Sequence, residues 1–245
     1  MAGSSKLTRM MRKILKVGRC GAVIVAAGSA TRMGGVDKVM ADLGGEPLFL
    51  SSVRTFERCP LVSEIVLVTR PELILPINEI CLAAGLKKVT AVLAGGDTRQ
   101  ASVMRGLSCL SKRVKLAAIH DAARPLLSPE VLDRTIRAGH SYSAAAPALP
   151  VKDTIKVASG GMVQSTPDRK ALFAVQTPQV FDFDLIRGAL DKAAADKAPL
   201  TDDCSAVERL GMSVKLVEGD EANFKVTTQT DLLLARCLVK ERENP

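Results

Sequence analysis

Residues 26 to 38 read Ala26-Ala27-Gly28-Ser29-Ala30-Thr31-Arg32-Met33-Gly34-Gly35-Val36-Asp37-Lys38. Side chains this small let backbone N–H groups close on an anion, and Arg32 and Lys38 can fold over it. The segment predicts a phosphate-holding loop and makes nucleotide chemistry the leading reading. Three other segments have the makings of a site. Gly95-Gly96-Asp97-Thr98-Arg99-Gln100-Ala101-Ser102 offers backbone N–H groups to an anion or a base edge at the start of a helix. In His120-Asp121-Ala122-Ala123-Arg124-Pro125 the Asp can bind sugar hydroxyls or a metal while the Arg three residues on meets phosphate. Asn223-Phe224-Lys225-Val226-Thr227 places a Lys in a short apolar run, where it needs a partner.

The elements that must position these segments follow from the apolar pattern. Ala22 to Ala26, Glu64 to Thr69, Val89 to Leu93 and Lys115 to His120 are short runs bounded by turn residues, as buried parallel strands are. Phe49, Val53 and Phe56, and likewise Val103, Leu107 and Leu110, recur with helical spacing and mark apolar helix faces. Alternating strand and helix predicts an α/β fold with a single right-handed, doubly wound, mostly parallel Rossmann-like sheet. Such sheets bind ligands beyond the carboxyl ends of their strands, where the loop after Val25 begins. The rhythm breaks at about residues 150–172. There Val151 to Val157 and Met162 to Ser165 flank Ser159-Gly160-Gly161, a hairpin signal. A lone hairpin is marginal in water, which predicts a projecting arm that packs on a second copy of the chain; a hairpin lying on its own domain is the other reading.

Composition limits the function. The formal charge is +8, from 34 basic and 26 acidic residues. Six of the bases, Lys6, Arg9, Arg12, Lys13, Lys16 and Arg19, fall in residues 1–20 without an acid, so the body carries only about +2. Residues 1–20 read as a disordered basic extension, with organelle targeting left open, and residues 21–245 as one domain. The aromatic content of 3%, with no Trp and one Tyr, is poor material for stacking bases, and a nucleic-acid-binding module is set aside. No apolar run reaches the roughly 18 residues that span a bilayer, and no secretory core leads the chain, so a soluble, cytoplasmic protein without a membrane partner is expected. Six single cysteines lack zinc spacing and read as reduced, mostly buried thiols. A dinucleotide-binding oxidoreductase is disfavoured, because the loop lacks G-x-G-x-x-G.

Taken in order, AAGSATRM with Lys38, GGDTRQAS, HDAARP, VKDT, VQTPQ, TDDCS and NFKVT resemble the motifs of the 2-C-methyl-D-erythritol 4-phosphate cytidylyltransferase family, from about residue 21 to 238. The resemblance implies CMP transfer from CTP to 2-C-methyl-D-erythritol 4-phosphate with release of pyrophosphate, a step of the non-mevalonate isoprenoid pathway, and magnesium carried mainly by the CTP phosphates. It implies that Arg32 and Lys38 are catalytic and that Ala26, Ala27, Gly28, Gly96, Asp97 and Ser102 hold CTP. Asp121, Arg124, Thr177 and Lys225 would hold methylerythritol phosphate. Thr154 and Arg169 would reach that substrate in the neighbouring subunit of a homodimer. No side chain is assigned as a metal ligand; Asp202 and Asp203, with Thr201, read as caps of a helix containing Val207 and Leu210, and His120 as structural. The closest rival is ribitol-5-phosphate cytidylyltransferase. Ala30 and Asp37 depart from the common form of the loop, where Gly and Pro stand.

Overall fold

In a computed structural model of the chain, residues 18–28 and 38–243 are described. Arg32, Ala30, Asp37 and the basic extension through residue 17 lie outside them. In chain order the elements are β1 (Cys20–Val25), β2 (Asp42–Leu43), β3 (Glu46–Pro47), α1 (Leu48–Arg58), β4 (Val62–Thr69), α2 (Ile74–Ala83), β5 (Val89–Ala94), α3 (Arg99–Cys109) and β6 (Leu116–Asp121). They continue with α4 (Pro129–Tyr142), β7 (Ala144–Pro150), β8 (Val157–Ser159), β9 (Met162–Ser165), β10 (Phe173–Val175), β11 (Gln179–Asp182), α5 (Phe183–Ala195), α6 (Asp203–Glu208), β12 (Lys215–Glu218) and α7 (Gln229–Glu243). Among the described residues no helix is long and apolar enough to cross a membrane.

The central sheet is parallel through β5, β4, β1 and β6. β11 then runs antiparallel to both β6 and β7. Ala145 pairs with Val180 and Lys215, and Ala148 with Val175 and Glu218, so β10 and β11 share one side of β7 and β12 takes the other. Residues 176–178 interrupt what is otherwise one line of strand, and the interruption falls beside the carboxyl end of β6.

Alternate strand residues feed two apolar layers, as a sheet covered on both faces requires. Ile24, Ile65, Leu67 and Ala118 meet Phe49, Val53 and Phe56 of α1, Ile77 and Cys81 of α2, and Val131 and Ile136 of α4. Val23, Val66, Val68 and Ile119 meet Val103 and Leu107 of α3, Ile186 and Leu190 of α5, and Val207 of α6. Leu110 is buried but lies just past the end of α3. A third cluster docks Leu232 and Ala235 of α7 on Leu43, Leu48 and Val226, which fixes the irregular segment carrying Lys225.

The helix starts have local causes. Ser128 caps α4 and accepts from the Val131 N–H, with Pro129 in the first turn. Asp202 and Ser205 form a capping box on α6, which ends at Glu208 and leaves Leu210 outside. Asp203 is not the cap; its carboxylate is bound by Arg99.

The hairpin is shorter than the alternating pattern suggests. Only β8 and β9 pair, around Gly160 and Gly161 at φ of 57° and 79°, the turn that suits a twisted two-residue hairpin. Residues 151–156 have no partner strand, because the returning chain opposite them contains Pro167, which lacks an N–H, and a 3₁₀ turn over Arg169–Ala171. The hairpin forms its own two-stranded sheet, and Val157, Met162 and Val163 on it are exposed. All six cysteines are unpaired, and four are buried.

Candidate active site

The carboxyl ends of β1, β5 and β6 open on a cavity of about 320 Å³. Ala26, Ala27 and Gly28 form its floor, and the ammonium of Lys38 lies 3.9 Å from where a Cβ on Gly28 would stand. The second wall is the turn from β5 into α3. Here the Gly96 N–H donates to Ser102 Oγ (3.0 Å), and that hydroxyl donates to the Thr98 carbonyl (3.0 Å). Thr98 caps α3 through the Ala101 N–H (3.0 Å). A Cβ at Gly96 would stand 2.5 Å from Ala101 Cβ, so the turn is tight enough to require glycine. Gly96, Asp97, Thr98, Arg99 and Ser102 of this turn line the cavity, with the Gly96 and Ala101 N–H groups taken up by the Ser102 and Thr98 side chains.

The third wall is a charge network that ends β6. Lys225 donates to Asp121 Oδ2 at 2.6 Å, and Arg99 Nε to Oδ1 at 3.4 Å. The Arg99 guanidinium also grips Asp203 with both terminal nitrogens, at 2.9 and 2.7 Å. Burial alone would raise the Asp121 carboxyl, but Arg99 and Lys225, with Arg124 nearby, hold it well below the usual carboxylate range. Burial likewise opposes the charge on Arg99, yet Asp203 and Asp121 outweigh it and keep the guanidinium firmly protonated. Burial pushes the Asp203 carboxyl up against the pull of Arg99. Gln179 holds the other end, accepting from the Asp203 and Cys204 N–H groups and donating to Asp202.

Of the residues singled out from sequence, Ala26, Ala27, Gly28, Lys38, Gly96, Asp97, Ser102, Asp121 and Lys225 line this cavity together. Arg124 lies behind it. Its Nη1 donates to the Asn223 carbonyl at 2.7 Å, and its Nε is buried without a hydrogen-bond partner. Thr177 is also set back, in the gap between β10 and β11, where it accepts from the Asp121 N–H at 3.1 Å. Thr154 and Arg169 sit on the arm, away from the cavity; Arg169 donates to the Lys152 carbonyl at 2.7 Å, and Lys152 pairs with Glu221. Arg99 and Asp203 are the pair that sequence reasoning missed. The available signal was the second acid of Thr201-Asp202-Asp203, since one carboxylate suffices to cap α6.

Lys38, Arg99 and Lys225 line a cavity at the carboxyl ends of the parallel strands, where doubly wound sheets bind their ligands, and fold and site together fit an α/β nucleotidyltransferase. The family model for 2-C-methyl-D-erythritol 4-phosphate cytidylyltransferase (IspD) matches residues 20–241. The enzyme of that name from Caldanaerobacter subterraneus subsp. tengcongensis is 43% identical over 227 residues, which cover 90% of this chain and 98% of its relative. The one from Symbiobacterium thermophilum is 44% identical over 89% of this chain and 92% of its own. Among solved structures, the 4-diphosphocytidyl-2C-methyl-D-erythritol synthase of Anaerococcus prevotii superposes with a TM-score of 0.82 at 30% identity, covering 93% of this chain and 99% of its own. The Thermus thermophilus 2-C-methyl-D-erythritol 4-phosphate cytidylyltransferase gives 0.74 at 33% identity, over 89% and 98%. The chain belongs to the 2-C-methyl-D-erythritol 4-phosphate cytidylyltransferase family, as its motifs led one to expect, and is a cytidylyltransferase enzyme.

Proposed function

We propose that the cavity between β1, β5 and β6 carries out transfer of CMP from CTP to 2-C-methyl-D-erythritol 4-phosphate. The observation that carries the reading is the opposition of two chemistries across one cavity: Lys38 over Gly28 on one side, and Asp121 bound to Lys225 on the other. CTP lies along Ala26–Gly28 and the Gly96–Ser102 turn, with backbone groups reading the base. The sugar phosphate lies on the side of Asp121 and Lys225, with the Arg124 guanidinium behind them adding positive potential.

The acceptor phosphate needs no protein base, because its second pKa is about 6 and it is mostly dianionic at pH 7. One of its oxygens attacks the α-phosphorus, the bond from that phosphorus to the bridging oxygen breaks, and pyrophosphate departs. Charge builds on the equatorial oxygens and the leaving group, where Lys38, with Arg32 of the same loop, stabilises it. Asp121 is already engaged through both oxygens by Lys225 and Arg99, and among the described residues no three candidate ligands converge. That donor set suits a magnesium ion held through CTP phosphate oxygens and water rather than by a protein cage. Such an ion would neutralise the triphosphate.

The exposed apolar residues of the arm, Val157, Met162 and Val163, support a homodimer in which Thr154 and Arg169 complete the partner's sugar-phosphate site. Pyrophosphate release tests the whole reading. With CTP and magnesium, methylerythritol phosphate should give turnover and ribitol 5-phosphate little; the reverse preference would replace the assigned acceptor.

A further inference from the structure

Behind Asp121, a buried chain of hydrogen bonds runs through two side chains that do not line the cavity. The Asp121 N–H donates to Thr177 Oγ1 at 3.1 Å, Thr177 Oγ1 lies 2.9 Å from His120 Nδ1, and His120 Nε2 lies 3.2 Å from the Arg124 carbonyl oxygen. His120 is fully buried, with its ring centroid 5.3 Å from that of Phe56, and Thr177 is nearly so. The chain therefore begins at the backbone of Asp121, which lines the cavity, and ends at the backbone of Arg124 behind it.

Donor and acceptor counting leaves one arrangement. The Arg124 carbonyl, which also accepts from Ser52 Oγ at 3.1 Å, can only accept through its second lone pair, so Nε2 must carry a proton. The Thr177 oxygen already accepts from Asp121, and its single proton finds a partner only if Nδ1 is bare. A neutral His120 protonated at Nε2 satisfies every group. The other tautomer sets two lone pairs against each other at Arg124, and an imidazolium strands the Thr177 proton in the interior. Burial, which pushes the imidazole down to about 4, favours the same neutral ring.

We infer that His120 and Thr177 are positioning residues, an oriented strap of fixed polarity that holds the Asp121-to-Arg124 turn in register with the acceptor substrate. This rests on the reading above that the Asp121 side of the cavity takes the sugar phosphate. Thr177 thus acts through Asp121, where the sequence assigned it directly to the substrate.

The chain has only two histidines, His120 and the exposed His140, so side-chain ¹H–¹⁵N correlation spectra of the full-length protein, with His140→Gln for assignment, read the tautomer directly. His120 should show a bare Nδ1 and a protonated Nε2, and should stay neutral while His140 titrates. In steady-state kinetics Thr177→Val should raise KM for methylerythritol phosphate roughly ten- to a hundredfold, leave KM for CTP within about twofold, and shift the Nδ1 resonance, whereas Thr177→Ser should restore the first KM and the resonance. If Thr177→Val does not fold, His120→Asn and His120→Gln replace it: Asn can mimic Nδ1 and Gln can mimic Nε2, and both should raise the same KM. A protonated Nδ1 at neutral pH, or an unchanged KM in these variants, overturns the inference. Failure of the wild-type protein to turn over methylerythritol phosphate would instead overturn the reaction assigned above and leave the tautomer measurement standing.

Discussion

The Arg99–Asp203 pair offers a direct test of how the site is held together. Asp203 is buried, its side chain only 2% exposed, and both its oxygens are bound by a guanidinium that is itself 32% exposed. Asp203→Asn preserves shape but leaves Arg99 with one neutral acceptor and the longer 3.4 Å contact to Asp121. Breaking a fully buried pair costs about 3–5 kcal/mol; because water still reaches Arg99, roughly 2–3 kcal/mol is expected here. For a chain of this size that lowers Tm by roughly 5–10 °C. Arg99→Met should cost a similar amount and add a pH signature. The orphaned Asp203 would take a raised pKa in the folded state, so the variant should be most stable in acid and lose stability as pH rises above about 4. The double variant Arg99→Met/Asp203→Leu removes both charges and should recover much of the stability, yet not the affinity for the sugar phosphate, since Asp121 loses a partner. With Asp203→Leu as the matching single variant, urea unfolding of the wild type, Arg99→Met, Asp203→Leu and the double variant gives the coupling energy. A coupling below about 0.5 kcal/mol would refute the claim that this pair is held by burial rather than merely adjacent.

Other outcomes follow from the same geometry. Lys38→Ala should lower kcat by roughly 100-fold or more, as loss of an oxyanion donor does, with little change in Tm; near-normal single-turnover rates would remove Lys38 from the transition state. His120 has a folded-state pKa of about 4 against 6.5 for the free group, so its stabilising contribution is full above about pH 6.5 and is lost as pH falls towards 4. That amounts to about 3 kcal/mol, and unfolding titrations across that window should show a slope absent from His120→Asn. If sites are shared between subunits, a heterodimer of Lys38→Ala and Arg169→Ala chains contains one intact site, and mixing two inactive preparations should restore activity; none in verified heterodimers would confine each site to one chain.

Much of the architecture was legible because burial writes a strong periodic signal. Val23 and Ile24 face opposite layers, Phe49, Val53 and Phe56 share one, and the turn segments ending β1, β5 and β6 converge as their strand context required. What stayed hidden depends on contacts across long sequence separations. The Arg99–Asp203 pair spans 104 residues, and neither member differs locally from a solvated charge or a helix cap. Thr177 shows the same limit. Its motif placed it at the site, but only the interruption between β10 and β11 puts its hydroxyl behind Asp121 instead of against the cavity. The arm was visible as a hairpin, while its true length depended on which backbone groups found partners.

The arm also has a consequence for how the protein can change. It leaves the sheet at Pro150 and returns at Phe173, residues that pair with each other, and the Val151 N–H donates to the Leu172 carbonyl at 3.1 Å. Its ends are thus already joined, so the entropy of closing the excursion grows only logarithmically with length, about 0.6 kcal/mol for a doubling. Insertions, deletions and surface substitutions between those anchors are therefore cheap for the fold. Changes of this kind that spare Thr154 and Arg169 leave β6 and its neighbours untouched, so the arm can vary in length and surface without disturbing the cavity.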